Sequence, residues 1–388
     1  MRVLMLSTPV STHAQPLVPL AWALRSAGHE VLFAGQPDVT GTVRSAGLST
    51  VTMGEWFHAD EILRATLPEG KRLIETRGRP TPEEVVGSTR VWMSHTRYVL
   101  PDYLDFARVF RPDLVVSDML EFGAPIVAGV LGVPAVQHRW GVDPYTAGAY
   151  PAARLALQGV CRRLGLEGLP DPAVLLDPCP PVLQLPDALP GTPVRYIPSN
   201  GSGPVPSWLR ADRRSPGKRR VAVSLGVRTL ELGGIPHVRR LLRAFDGLGD
   251  VEALATIDEA YRERVGPVPS NVRLIDPIPL HLFLRTCDAM VHHGGAGTAL
   301  TATAFGLPQL VLPQLTDMFD AGDRIAAAGA GITFDDAAAQ DDPERLREAL
   351  TALLDEPGYA KAAAELSREM RRLPAPPQIV TDLERLVG

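Results

Sequence analysis

Two titratable residues stand where the sequence predicts that a strand gives way to the next element. His13 lies in STHAQPLVPL, shortly after the apolar run at residues 2–6, and Asp118 closes the apolar run in RPDLVVSD. A histidine at such a junction is compatible with phosphate binding, with a catalytic base or with a plain turn of the chain. Imidazole, with an ordinary pKa of about 6.5, accepts a proton at neutral pH. Asp118, considered alone, is more typical of a helix N-cap than of a catalytic group.

A glycine-rich loop in the second half offers a different chemistry. HHGGAGT, residues 292–298, follows an apolar run and precedes an alanine-rich helical pattern. Gly295 and Gly297 let the backbone turn sharply and approach a ligand. The unpaired N–H groups and positive dipole end of the following helix suit a diphosphate, to which Thr298 adds a hydroxyl and His293 an imidazole. The same letters also fit an ordinary turn, and they match neither the GxGxxG pattern of NAD sites nor the lysine loop of ATP sites.

A scaffold of alternating strands and helices must position these residues. Apolar runs flank a helical pattern that ends near Gly28, which predicts a βαβ unit and therefore a parallel sheet. The alternation recurs at residues 111–140 and resumes from Arg219 onward. Because parallel strands present their carboxyl ends at one edge of a sheet, we expect His13 and Asp118 at the same edge.

The length and composition predict two domains. At 388 residues the chain can build two hydrophobic cores, and the stretch from Pro180 to Gly217 is rich in proline, glycine and serine, as linkers are. We predict an α/β architecture of two Rossmann-like domains whose parallel sheets face each other across a cleft. The expected boundaries are residues 1–200, a linker at 201–218, a second domain at 219–370 and a final amphipathic helix at 371–388.

The overall charge, the hydropathy and the cysteine content limit the classes of partner and the compartment that we expect for this protein. The formal net charge is −5 and no long basic run occurs, which argues against nucleic acid and anionic membrane as partners. No apolar run approaches the roughly 18 residues of a membrane span, and the N-terminal apolar run is too short for a signal peptide. Three widely spaced cysteines fit a reducing compartment better than a disulfide framework. We therefore expect a cytoplasmic protein.

Longer segments carry a family resemblance. HHGGAGT followed by GLPQLVLPQLTDMFDAG resembles the donor-binding segment of the GT-B, family 1 nucleotide-sugar glycosyltransferases. The likeness covers nearly the whole chain, including the His13 segment, RPDLVVSD, YIPSNGSG, VAVSLG and RLIDPIPLHLFLRTCD. Within that family the chain is most similar to the bacterial deoxysugar transferases that decorate polyketide antibiotics.

The resemblance implies a GT-B fold and a reaction. An inverting transferase would move a deoxysugar, such as L-rhamnose or a related 6-deoxyhexose, from a dTDP-sugar to a hydroxyl of a hydrophobic polyketide-type aglycone. The first domain would bind this acceptor, the second the nucleotide sugar, and the last helix would pack back on the first domain. Neither a metal ion nor another cofactor is implied, and a homodimer is left open.

The resemblance also implies roles for individual residues. His13 matches the base that deprotonates the acceptor, and Asp118 the aspartate that orients this base and stabilises its protonated form. The remaining implied contacts are His293, Gly295, Gly297, Thr298, Gly226 and Arg228 to the diphosphate, Ile278 and Pro279 to the pyrimidine base, Asp317 and Met318 to the sugar, and Trp56 and Trp140 to the acceptor.

One site position departs from the family pattern. The usual Asp-Gln pair that binds the sugar hydroxyls is Asp317-Met318 in this chain. A thioether cannot donate the hydrogen bonds of a carboxamide. The substitution therefore predicts weaker recognition of a fully hydroxylated hexose and a preference for a deoxysugar.

Other functions fit parts of the pattern. A GT-B sugar-nucleotide epimerase or a GlcNAc transferase would use the same fold, and a non-catalytic helper subunit would retain it without chemistry. A nicotinamide oxidoreductase would share the Rossmann-like halves but needs the GxGxxG loop that is missing. The His13–Asp118 pair favours a transferase. The aglycone, the choice between O- and C-glycosylation and the need for an auxiliary protein stay open.

Overall fold

The computed structural model describes residues 1–210 and 217–388, and these residues form two compact α/β units. Each unit is built on a parallel sheet, which confirms the predicted fold class. The first unit contains residues 1–59, 81–201 and 372–388, and the second contains residues 60–80 and 202–371.

The first unit contains a seven-stranded sheet. Its central strands are short apolar runs buried on both faces, as expected for a parallel sheet covered by helices. The strands are β1 (Arg2–Leu6), β2 (Glu30–Gly35), β3 (Thr50–Thr52), β4 (Leu114–Asp118), β5 (Ala135–His138), β6 (Val174–Asp177) and β7 (Thr192–Pro193). Their spatial order is β3-β2-β1-β4-β5-β6-β7, with every neighbouring pair parallel.

Helices cover both faces of this sheet. They are α1 (Ser11–Ala14), α2 (Val18–Ser26), α3 (Pro37–Ser45), α6 (Pro82–Ser88), α7 (Arg90–Phe110), α8 (Gly123–Leu131), α9 (Thr146–Arg163) and α19 (Pro376–Val387), with 3₁₀ turns at Gln15–Leu17 and Pro181–Leu183. The C-terminal α19 packs on α2 and places Ile379, Val380 and Leu383 in the same core as β1. The end of the chain therefore belongs to the first unit.

The second unit contains a six-stranded parallel sheet. Its strands are β8 (Arg219–Ser224), β9 (Val251–Thr256), β10 (Val272–Ile275), β11 (Ala289–His292), β12 (Gln309–Val311) and β13 (Gly331–Thr333). The spatial order is β10-β9-β8-β11-β12-β13, and the main core lies between this sheet and the helices at Ile235–Arg243 and Pro343–Asp355. The helices are α10 (Ser207–Arg210), α11 (Gly226–Thr229), α12 (Ile235–Arg243), α13 (Glu259–Val265), α14 (Ala296–Phe305), α15 (Asp317–Ala327), α16 (Ala337–Gln340), α17 (Pro343–Asp355) and α18 (Pro357–Arg372), with 3₁₀ turns at Leu280–Leu282 and Leu284–Thr286 and a kinked turn at Leu230–Gly234.

The predicted domain organisation placed residues 60–80 in the first domain, and the structure differs from the prediction there. With α4 (Ala59–Ala65) and α5 (Leu73–Arg77), this segment belongs to the second unit. Its anchor is Arg72, which is 2% exposed, donates to Gln340 Oε1 at 2.9 Å and lies 3.1 Å from Asp341 Oδ2. Gly233 is packed so closely that a Cβ there would lie 2.6 Å from the Lys71 carbonyl oxygen. These contacts join residues far apart in sequence, so composition along the chain did not reveal them.

The predicted linker at 201–218 is described only in part, because residues 211–216 lie outside the described residues. Within the described ranges, no helix combines the length and apolarity needed to cross a membrane.

Candidate functional site

In the first unit, the strand that precedes His13 and the strand that ends at Asp118 are direct neighbours. β1 pairs with β4 in parallel, with Leu6 opposite Ser117. The chain runs outward from β1 to β2 and β3 and then returns to the other side of β1, so the strand order reverses between β1 and β4. The crevice at such a reversal, at the carboxyl ends of the strands, is the usual ligand site of open α/β sheets. The predicted meeting of the two residues at one edge is confirmed.

Thr8 connects the two predicted residues. Its Oγ1 lies 2.7 Å from His13 Nδ1 and donates to Asp118 Oδ2 at 3.1 Å, and its backbone N–H donates to the same oxygen at 2.7 Å. Sequence analysis missed Thr8, because nothing in STPVSTHA marks one hydroxyl as special before the loop is folded.

The Asp118 carboxylate is buried and held on both oxygens. Leu120 N–H donates to Oδ1 at 2.9 Å, while Thr8 holds Oδ2. Burial raises the pKa of Asp118 to about 6, and the hydrogen bonds from Leu120 and Thr8 oppose that rise. The group is therefore mostly ionised at neutral pH. Asp118 is not the N-cap of the following helix, since α8 is preceded by Phe122 in that position.

Trp140 packs directly against His13. The two rings stack with centroids 3.9 Å apart and an interplanar angle of 14°, and Trp140 is only 4% exposed. Trp92 approaches the same imidazole edge-on at 6.0 Å. Trp56, the other predicted acceptor residue, is 58% exposed and stacks on His58. Trp140 thus restrains the orientation of the imidazole, whereas Trp56 leaves much of its surface available.

A second buried carboxyl lies near Asp118 and was not predicted. Glu121 is fully buried, accepts the Gly123 N–H at 2.9 Å and lies 3.4 Å from the Tyr103 hydroxyl. Burial, followed by the charge of Asp118, raises the pKa of Glu121 to about 8. Glu121 is therefore mostly protonated at neutral pH, which keeps a second negative charge away from Asp118.

In the second unit, the predicted phosphate loops also follow adjacent central strands. β11 pairs with β8 in parallel, with His292 opposite Ser224, and the strand order reverses between them. The segments that follow Ser224 and His292 therefore start side by side at one sheet edge. This is the position at which a nucleotide diphosphate binds in related α/β architectures.

His293 lies between two of the predicted glycines. A Cβ at Gly226 would lie 3.1 Å from the imidazole Cε1, and a Cβ at Gly295 only 2.4 Å from Nε2. Gly226 also has a φ of +74°, a value that favours glycine. Burial, with a smaller contribution from the charge of Arg228, lowers the pKa of His293 to about 4, so the ring is neutral at pH 7. Its buried Nδ1 has no hydrogen-bond partner among the described residues.

The neighbouring His292 has a structural role. Its Nδ1 accepts the Gly294 N–H at 3.0 Å, and its Nε2 lies 2.8 Å from the side-chain oxygen of Gln309. His292 thereby sets the path of the loop into α14, whose N-cap is Gly295 and whose first turn carries Gly297 and Thr298. No side chain caps that helix start in the described part of the chain, as suits a helix end that receives an anion.

Arg228 is held by the inserted segment. Its Nη2 lies 2.6 Å from Asp60 Oδ1, and both side chains are partly exposed. The guanidinium is close enough to His293 to influence its titration. The predicted cation of the diphosphate site is therefore already paired with a carboxylate from residues 60–80.

The predicted sugar-binding pair begins α15. Asp317 is the first residue of the helix and accepts a hydrogen bond from Thr316 Oγ1 at 3.0 Å. Thr316 has a φ of +33°, an uncommon conformation for a residue with a side chain. A Cβ at Gly294 would lie 2.8 Å from the Met318 carbonyl oxygen, so this helix start contacts the glycine loop.

The predicted base-binding residues lie in the loop after β10. Ile278 is half-buried against an apolar cluster, and Pro279 is buried and precedes a 3₁₀ turn. Gly203, from the YIPSNGSG segment, lies beside Pro279, since a Cβ there would be in ordinary van der Waals contact with the proline Cδ at 3.5 Å. Among the described residues, no group of three or more His, Cys, Asp or Glu side chains is arranged to hold a metal ion.

Two family models match the chain. The N-terminal domain of the erythromycin biosynthesis protein CIII-like family matches residues 22–226, and its C-terminal domain matches residues 240–386. Together these matches extend over most of the chain and both sheets.

Characterised relatives match along the full length. The chain is 36% identical to aklavinone 7-beta-L-rhodosaminyltransferase of Streptomyces galilaeus, with 100% of this chain and 96% of the relative covered. It is 33% identical to 10-deoxymethynolide desosaminyltransferase of Streptomyces venezuelae, with 100% and 97% covered.

Solved structures show the same similarity. The spinosyn rhamnosyltransferase complexed with spinosyn aglycone is 38% identical, with a TM-score of 0.88 over 99% of this chain and 100% of that chain. The same enzyme complexed with thymidine diphosphate has a TM-score of 0.87. The glycosyltransferase SnogD from Streptomyces nogalater is 30% identical, with a TM-score of 0.81 over 100% of this chain and 99% of that chain.

Proposed function

Because this chain belongs to the erythromycin biosynthesis protein CIII-like family of antibiotic deoxysugar glycosyltransferases, we propose that it transfers a 6-deoxyhexose, L-rhamnose or a close relative, from a dTDP-sugar to a polyketide-type aglycone. The proposed reaction inverts the anomeric carbon, with His13 as the general base. The observation that supports it best is the hydrogen-bonded arrangement of His13, Thr8 and Asp118 at the strand reversal of the first sheet.

The base has a defined task. In an inverting displacement the acceptor hydroxyl must lose its proton as its oxygen bonds to the anomeric carbon. His13 receives that proton, and the buried Asp118 carboxylate stabilises the imidazolium that results. Trp140 holds the imidazole plane by stacking, which limits the orientations in which the base meets the acceptor.

The donor is assigned to the second unit. The α14 N-terminus and the Arg228 guanidinium supply donor groups for a departing diphosphate, and the His293 imidazole lies beside them. These groups provide the charge stabilisation that a metal ion would otherwise give, and we propose that transfer needs no metal. A thymidine diphosphate donor is supported by the complex formed by the similar spinosyn rhamnosyltransferase.

The sugar assignment depends on Met318. An apolar side chain at the start of α15 favours a sugar with fewer hydroxyls to satisfy, while Asp317 keeps one acceptor for those that remain. The names of the similar transferases include several different deoxysugars, so the choice of rhamnose among them is the finer part of the proposal.

The test is product analysis. Purified protein in EDTA is mixed with dTDP-L-rhamnose, other dTDP-deoxysugars or UDP-glucose, each with macrolide, tetracyclic and aromatic polyketide aglycones. We expect a new aglycone mass with the dTDP-deoxysugars and an inverted anomeric configuration by NMR. A preference for UDP-glucose would contradict the donor assignment, and dependence on added metal would contradict the proposal that transfer needs no metal. Rearrangement of the nucleotide sugar without an aglycone would indicate an epimerase instead.

A further inference from the structure

We infer that Thr8 is a positioning residue that fixes the tautomer of His13 and connects its imidazole by hydrogen bonds to the Asp118 carboxylate. This inference rests on the proposed function for its consequence in catalysis, but not for its structural content. Thr8 lies on the loop between β1 and α1 and is fully buried.

The direction of each hydrogen bond follows from a proton count. A threonine hydroxyl has a single proton, and Thr8 gives it to Asp118 Oδ2 at 3.1 Å. An ionised carboxylate can only accept. The contact of 2.7 Å between Thr8 Oγ1 and His13 Nδ1 therefore requires the proton to be on the imidazole nitrogen. The geometry assigns His13 the Nδ1–H tautomer, which carries its lone pair on Nε2.

The second hydrogen bond from Thr8 keeps the hydroxyl in place. The Thr8 backbone N–H donates to the same Asp118 oxygen at 2.7 Å, so carboxylate and loop are joined independently of the side chain. A variant without the hydroxyl retains this backbone contact. The loss of the hydroxyl can therefore be examined without removing the structure that surrounds it.

When His13 takes up the acceptor proton, its two nitrogens both become donors. Nδ1–H continues to donate to Thr8, and Thr8 continues to donate to Asp118, so no bond in the arrangement has to break. The proton stays on His13 and Asp118 stays ionised. Thr8 lets one buried carboxylate stabilise an imidazolium that it does not have to contact.

The experiment compares Thr8→Val, which is isosteric and lacks the hydroxyl, with Thr8→Ser, which retains it. We expect Thr8→Val to lower kcat by about 10-fold or more, with donor KM and thymidine diphosphate affinity unchanged. Thr8→Ser should restore most of the rate. The matched control is Thr96→Val, because Thr96 is equally buried but its hydroxyl has no hydrogen-bond partner among the described residues. This control should leave kcat unchanged.

A spectroscopic readout tests the tautomer without turnover. In ¹⁵N-histidine-labelled protein at a pH where His13 is neutral, with its signals assigned by loss in His13→Gln, Nδ1 should be protonated in wild type and lose that bias in Thr8→Val. A wild-type Nε2–H tautomer, an unchanged kcat in Thr8→Val, or an equal loss in Thr8→Ser would overturn the inference. If the wild type transfers no sugar at all, the proposed function fails, while the tautomer still decides the role of Thr8.

Discussion

Arg228, beside the glycine loop of the second unit, forms an ion pair with Asp60, with Nη2 and Oδ1 2.6 Å apart. Asp60 lies in the segment of residues 60–80, which was predicted from the sequence to be part of the first domain. The same segment is fixed to its unit by the buried Arg72 and by Arg64, whose Nη2 lies 3.3 Å from Glu231 Oε2. Under the proposed donor assignment, a diphosphate at the glycine loop would compete with the Asp60 carboxylate for Arg228.

Asp60→Asn should strengthen binding of thymidine diphosphate. The change removes the competing negative charge and leaves Arg228 available to the ligand. Because both side chains are partly exposed, we expect a modest effect: the Kd measured by calorimetry should be about two- to five-fold lower. Glu231→Gln is the control, since it breaks the neighbouring ion pair with Arg64 and should not change Kd. Equal shifts in both variants would show that Arg228 is not involved.

His13→Ala should remove transfer and preserve donor binding. Loss of a general base lowers kcat by about 10²- to 10⁴-fold, whereas the residues proposed for the diphosphate all belong to the second unit. Turnover by mass spectrometry and thymidine diphosphate affinity by calorimetry check the two parts. His29→Ala is the matched control, because His29 contacts Glu384 away from the proposed site. Surviving turnover, or lost nucleotide binding, would refute the assigned role.

Met318→Gln should broaden the donor range. A carboxamide restores donors for sugar hydroxyls, so kcat/KM for dTDP-glucose relative to a dTDP-deoxysugar should rise by about 2- to 10-fold, the value of one or so hydrogen bonds. Competition between the two donors measures this ratio directly. Met318→Leu, which stays apolar, should keep the wild-type preference. If Gln and Leu behave alike, position 318 does not select the sugar.

Glu121→Gln should stabilise the protein increasingly as pH rises. The pKa of Glu121 is raised from 4.5 to about 8 by burial, so between these values the folded state keeps a proton that the unfolded state has released. Wild-type stability therefore falls with rising pH in this window, by at most about 1.4 kcal/mol per pH unit from this group. Gln mimics the protonated form and lacks this loss.

The measurement is the difference in Tm between variant and wild type from pH 5 to pH 8. It should become more positive as pH rises. Glu30→Gln is the control, because Glu30 is exposed and pairs with Arg2 at the surface. A difference that stays constant over this range would mean that Glu121 does not retain its proton on folding.

Local patterns in the sequence were sufficient to predict much of the fold. The short apolar runs predicted the parallel sheets, because strands buried on both faces must be continuously apolar. The positions of His13 shortly after β1 and of Asp118 at the end of β4 predicted their common edge, since parallel strands end on the same side. The glycines at 226, 294 and 295 also have a local signature. A Cβ at Gly294 would collide with the Met318 backbone and one at Gly295 with His293, while one at Gly226 would be in tight contact with His293.

The sequence by itself determined the fold class, the family resemblance and the positions of His13 and Asp118 at the carboxyl ends of parallel strands, because these depend on residue type and short-range periodicity. Only the tertiary structure decided that Thr8 lies between His13 and Asp118, that Trp140 stacks on His13, and that residues 60–80 belong to the second unit. Each of these depends on hydrogen bonds, ring packing or ion pairs between residues separated along the chain. Such contacts form only once the strands are ordered and the side chains are buried. They leave no periodicity in the sequence, and for this reason the sequence did not predict them.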